Sequence, residues 1–177
     1  MHNVFGFIGK QEVISASVKA VPQARVVPLP QGMALVPITE FVRGATRSDD
    51  SIALPDALRV FEMLSSELVL WVQEASRRGR IAYFETEYWG GDGGQDAVVW
   101  ENGSIIYGPT IARVEFGGTQ VIPEAVSYGA INGALHRIGV SRTGELDEFD
   151  SIGLGRHRTT EAWAHDAEER ESPNQAL

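Results

Sequence analysis

"YFETEYWGGDGGQDAVVWENG", residues 83–103, decides how the fold is read. Side chains alternate across a strand, so Tyr83, Glu85 and Glu87 share one face and Phe84, Thr86 and Tyr88 the other. The glycine knot "GGDGG" then has three candidate meanings. A phosphate grip needs a strand, the glycines and then a helix whose N-terminus faces the anion. Here the glycines lead into "QDAVVW", whose alternation and β-branching spell a second strand, and the Walker lysine and hydroxyl are missing. A calcium loop needs acids at alternate positions and a glutamate at the twelfth, and "DGGQD" does not supply them. The knot therefore reads as a hairpin loop, helped by the ease with which glycine takes positive φ.

Working outward, "RIAYFETEYW", "QDAVVWE", "GSIIYG" and "IARVEF" read as four strands separated by glycine-rich turns. Asn102–Gly103 between the second and third favours a tight type I′ turn. On the N-terminal side, "VFGFIG" (4–9) is a short strand and "KQEVISASVKAV" (10–21) a helix stopped by Pro22. "ARVVPL" and "GMALVPI" form two further strands joined by "PQG", and "RGATRSDDS" (43–51) is a loop. The spacing of Ala57, Phe61, Leu64, Leu68, Trp71 and Ala75 predicts one long helix over 54–78. "PEAVSYGAINGALHRIG" (123–139) predicts another, with Gly129 and Gly133 leaving a flat strip for close packing. A last helical piece begins near Thr159.

The expected fold class is α+β. A mainly antiparallel sheet is built from residues 81–116, the two main helices (54–78 and 123–139) pack on one face, and an N-terminal β-α-β-β unit extends or flanks it. One domain spans 1–165, followed by a polar, frayed tail at 166–177.

Composition narrows the function. The 177 residues are 43% hydrophobic, enough for a core in a chain of one-domain length. No run approaches the roughly 18 apolar residues of a membrane span. There are no cysteines, which removes disulfides and thiolate chemistry, and no secretory leader is evident. The expected location is cytoplasmic. Net charge is −9, from 24 acids against 15 bases, so neither nucleic acid nor an anionic membrane is expected as a partner. Five acids (Glu85, Glu87, Asp92, Asp96 and Glu101) fall between Ile81 and Ala112 with no base among them, and "ELDEFD" (145–150) adds four more. Acids gathered on one face also attract a basic partner.

The motifs that carry chemistry are few. Glu85 and Glu87, about 7 Å apart on one strand face, are an acid–base or metal candidate, although a solvated face is the simpler reading. Arg156, His157 and Arg158 in "GLGRHR" are an anion-site candidate, weighed against local pairing with "ELDEFD" or a nearby helix end. No two-histidine metal spacing, GxSxG elbow or SxxK motif occurs, and no metal or cofactor is expected. Trp89 abuts the glycine turn, where a core position is unexpected, and aromatics ringed by acids match a binding hot spot.

Two blocks, "YFETEYWGGDGGQDAVVW" and "DEFDSIGLGRHRTTEAW", resemble small bacterial proteins that are often neighbours or antidotes of toxins in interbacterial competition. The resemblance implies an immunity protein that neutralises a protein toxin with a basic surface, and carries over no residue role. The expected contacts, chosen from charge density, are Glu85, Glu87, Trp89, Asp92 and Asp96. The alternative is a small hydrolase or transferase using Glu85, Glu87 and the Arg156–His157–Arg158 cluster.

Overall fold

The computed structural model describes residues 2–46, 53–90, 92–114 and 129–171. Its centre is a six-stranded antiparallel sheet in the order β2-β3-β1-β4-β5-β6. The strands are β1 (His2–Lys10), β2 (Val27–Leu29), β3 (Met33–Pro37), β4 (Ile81–Trp89), β5 (Asp92–Glu101) and β6 (Ser104–Val114). The helices are α1 (Gln11–Ser17), α2 (Glu40–Thr46), α3 (Ser66–Ala75), α4 (Ala130–Arg137), α5 (Glu148–Ser151) and α6 (Thr160–Glu171).

The α+β class and the antiparallel sheet are as the sequence implies, and so is the N-terminal β-α-β-β order. Asn102 and Gly103 both take positive φ, 52° and 79°, as a type I′ turn requires. "GSIIYG" and the described part of "IARVEF" are one continuous strand, β6, with bulges where it pairs with β5.

The helices do not share one face. Ile81, Tyr83, Val98 and Trp100 pack with α1, α3 and the 58–64 segment, whereas Ala82, Phe84, Ala97 and Val99 pack with α4, α5 and α6. The reason lies in "IAYF" and "AVVW", where consecutive residues are all apolar. A strand apolar on both faces needs cover on both.

The long helix over 54–78 is also shorter than its periodicity implies. Residues 56–58 form a single 3₁₀ turn, 59–64 are irregular, and α3 starts only at Ser66. Ser65 caps α3, its hydroxyl accepting the Leu68 amide at 3.3 Å. Glu85 takes the amides of Glu62 and Met63, which a continuous helix needs for its own ladder.

Three further expectations change. Helix α2 runs through residues 40–46 where a loop was expected from 43, and 47–51 lie outside the described residues. The 123–139 helix is seen as α4, while 123–128 lie outside the described residues. The flat strip on α4 receives a side chain, because Gly133 lies against the Tyr107 hydroxyl where a Cβ would collide. The stretch from Asp166 is helical through Glu171, with Ala167 in the core and Asp166 binding Arg156 and Arg170.

Candidate functional site

Strands β4 and β5 extend past the cover of α3, and their outer halves form the floor of an open cleft of about 730 Å³. Register orders that floor. Phe5 on β1, Glu85 on β4, Asp96 on β5 and Ile111 on β6 form one row across the sheet. The next row on this face is Asn3, Glu87, Gly94 and Arg113, and beyond it Trp89 pairs with Asp92. Val60 and Glu62, from the irregular segment before α3, form a side wall.

All five residues singled out from the sequence (Glu85, Glu87, Trp89, Asp92 and Asp96) line this cleft. They do not stand alike in it. Glu85 is only 6% exposed. One of its oxygens accepts the Met63 amide and the Tyr83 hydroxyl, both at 2.7 Å, and the other accepts the Glu62 amide at 2.8 Å. Burial pushes its carboxyl above the ordinary value near 4.5, against those hydrogen bonds, and the neighbouring Asp96 charge adds to the rise. The same burial, with Glu85 alongside, drives the Tyr83 phenol well above its usual range. Glu85 is therefore an anchor that ties the 62–63 backbone to the sheet.

Asp96 is equally buried and is held by Arg113, with guanidinium–carboxylate distances of 2.5 and 2.7 Å. This corrects the picture of an acidic run without counter-ions. Asp96 is paired with Arg113, and Glu101 with Arg80 at 2.9 Å. Gly94 makes the Arg113 contact possible: a Cβ there would lie 2.7 Å from the Arg113 Cδ. In contrast, Glu87, Trp89 and Asp92 reach solvent or the cleft mouth, with Trp89 71% exposed.

Phe5, Val60, Glu62 and Arg113 also line the cleft and were missed in the sequence. A signal for Arg113 existed, since it is the first base after the acidic run. Counting back from the Asn102–Gly103 turn in ideal register places it opposite Asp92. Bulges between Ala97 and Trp100 place it opposite Gly94 instead, within reach of Asp96.

The Arg156–His157–Arg158 cluster lies on the other face of the sheet. Arg156 binds Asp166 at 2.6 Å and sits 4.6 Å over the Trp163 ring, and His157 meets Trp163 edge-on. The partner is a helix residue rather than "ELDEFD". Burial raises the Asp166 carboxyl, but the Arg170 hydrogen bond and the charges of Arg156, Arg170 and His157 outweigh it and hold the group below its ordinary value. Within "ELDEFD", Asp147 serves a local end: it caps α5 and accepts from Asn132 at 2.9 Å.

Among the described residues, no three His, Asp or Glu side chains are grouped to hold a metal ion, and no helix is long and apolar enough to cross a membrane. No family model, curated protein or solved structure matches this chain.

Proposed function

We propose that this chain is a binding protein of the immunity or inhibitor type, acting in the cytoplasm, which neutralises a basic protein toxin through the β4–β5 cleft. The supporting observation is the assembly of Glu87, Trp89 and Asp92 with the buried Glu85 and Asp96 around one cavity of about 730 Å³. Among the described residues, five acids line it against one base, Arg113, so its field favours a cationic partner. Trp89 offers the large aromatic surface that anchors interfaces, and its truncation should cost about 2 kcal/mol or more of binding.

The hydrolase or transferase reading has less support. Both oxygens of Glu85 are committed to three donors, which leaves the group poorly placed to exchange a proton with a substrate. Arg156 and His157 are engaged with α6 across the sheet from Glu85 and Glu87.

The test is protection. The chain is co-expressed with the toxin candidate encoded beside its gene, and growth is scored together with binding of the purified pair by calorimetry. Protection and a defined stoichiometry are expected. A neighbour that is a metabolic enzyme, with no binding and no protection, overturns the reading.

A further inference from the structure

Within the cleft the deep and outer groups differ in what they are free to do. Glu85 and Asp96 are occupied by the 62–63 backbone and by Arg113. The outer wall carries the exposed Trp89 indole with Glu87 two residues before it on the same face, and Phe5 and Val60 add apolar surface below. We propose that this outer wall receives an arginine side chain of the partner protein. Its guanidinium lies on the Trp89 ring within reach of Glu87, and its aliphatic stem runs along Phe5 and Val60.

Charge complementarity selects a cation, since the wall is acidic and Arg113 is already neutralised by Asp96. The aromatic selects guanidinium over ammonium. A planar, weakly hydrated ion stacks on an indole and still offers its edge to a carboxylate, whereas an ammonium is a compact, strongly hydrated point charge. The molecule already builds this unit internally, where Arg156 lies 4.6 Å over the Trp163 ring and bonds Asp166, three residues on, at 2.6 Å. Trp89 and Glu87 present the ring and the acid of such a unit at the surface. A cavity of about 730 Å³ exceeds one side chain, so the arginine arrives on a segment of several residues.

This inference rests on the protein-binding reading, and its test is separable from that reading. The four tryptophans give indole N–H signals in a ¹⁵N-correlated NMR spectrum, and Trp89→Phe assigns the one concerned. The full chain is titrated with Nα-acetyl-arginine amide, then with the lysine and citrulline analogues. The Trp89 signal should move with a dissociation constant on the order of millimolar for arginine, and about tenfold more weakly for uncharged citrulline. Glu87→Gln should weaken the arginine response several-fold while the other indole signals stay in place. A Trp89 signal that ignores arginine amide, answers the lysine or citrulline analogue equally, or is indifferent to Glu87→Gln overturns the proposal. If a toxin binds tightly and neither Trp89→Phe nor Glu87→Gln weakens that binding, the arginine assignment falls and the immunity reading stands. If arginine amide binds and no toxin is neutralised, the reverse holds.

Discussion

The inner and outer halves of the β4–β5 ribbon share strands and a face, yet they meet opposite fates. The inner half presents Ile81, Tyr83, Val98 and Trp100, all fully buried in the core beneath α1 and α3. The outer half presents Glu85, Glu87 and Trp89 against Asp92, Gly94 and Asp96, and opens into the cleft. The pairing of β4 with β5 does not distinguish the two, because its register runs unbroken from Ile81 to Trp89. The difference is chemical. Large apolar side chains recruit a covering layer, whereas carboxylates and a glycine decline it. A site arises here by withholding cover from part of an otherwise ordinary sheet face. The transition falls at Glu85 and Asp96, which are buried and are acceptable there because each is supplied with donors.

The comparison breaks most violently at its buried end. Trp100→Ala removes a side chain with no solvent exposure, and should cost about 3–5 kcal/mol in urea unfolding. A loss below about 1 kcal/mol would mean that the inner half is not the core it is taken to be.

The boundary should respond less. Arg113→Ala leaves the buried Asp96 carboxylate without its bidentate partner, with an expected loss of about 1–3 kcal/mol. Half of the Arg113 side chain is exposed, which keeps the cost below that of a fully buried pair. An unchanged urea midpoint would show that the pair contributes nothing.

Glu85 sharpens the boundary through pH. Its carboxyl is held above the ordinary value near 4.5, so the folded chain keeps that proton to higher pH than the unfolded chain. This contribution is fully present at low pH and falls as pH rises from about 4.5 until Glu85 is ionised. Asp166, held below its ordinary value, acts with the opposite sign and loses its contribution as pH falls. The difference between wild type and Glu85→Gln isolates the first effect. Urea midpoints measured across pH should show the downward component in wild type and none in the variant; parallel curves would refute it.

The exposed end should respond least. Trp89→Ala removes a side chain that is 71% exposed, and should shift folding stability by no more than about 0.5 kcal/mol. Two tryptophans eleven residues apart on one hairpin would then differ several-fold in structural worth.

Much of this contrast was legible in the sequence, and the exceptions have physical causes. The alternation in "YFETEYW" and the Asn102–Gly103 turn reported the hairpins because both signals are local. Trp89 beside the glycines, amid acids, marked the outer half. The split of the expected 54–78 helix was hidden, since the carboxylate that takes the Glu62 and Met63 amides comes from Glu85, more than twenty residues away. The Asp96–Arg113 pair was hidden by two bulges that displace the β5–β6 register. Cover on both faces was written in the unbroken apolar runs "IAYF" and "AVVW", which periodicity alone does not weigh.

The pairing of Asp96 also decides which charge reversal is informative. Replacing Asp96 with lysine would set two cations together at a buried position, so loss of binding would be confounded with loss of folding. Glu87→Lys with Asp92→Lys changes two exposed acids of the outer wall and leaves the Asp96–Arg113 pair in place. The most direct measurement is the calorimetric affinity of this double variant for the purified toxin, beside a Glu12→Lys/Glu145→Lys control that makes the same charge change at exposed sites elsewhere. The account predicts a melting temperature within a few degrees of wild type in both, with affinity reduced about a hundredfold or more in the cleft variant and nearly retained in the control. A folded cleft variant that binds the toxin as tightly as wild type would contradict it.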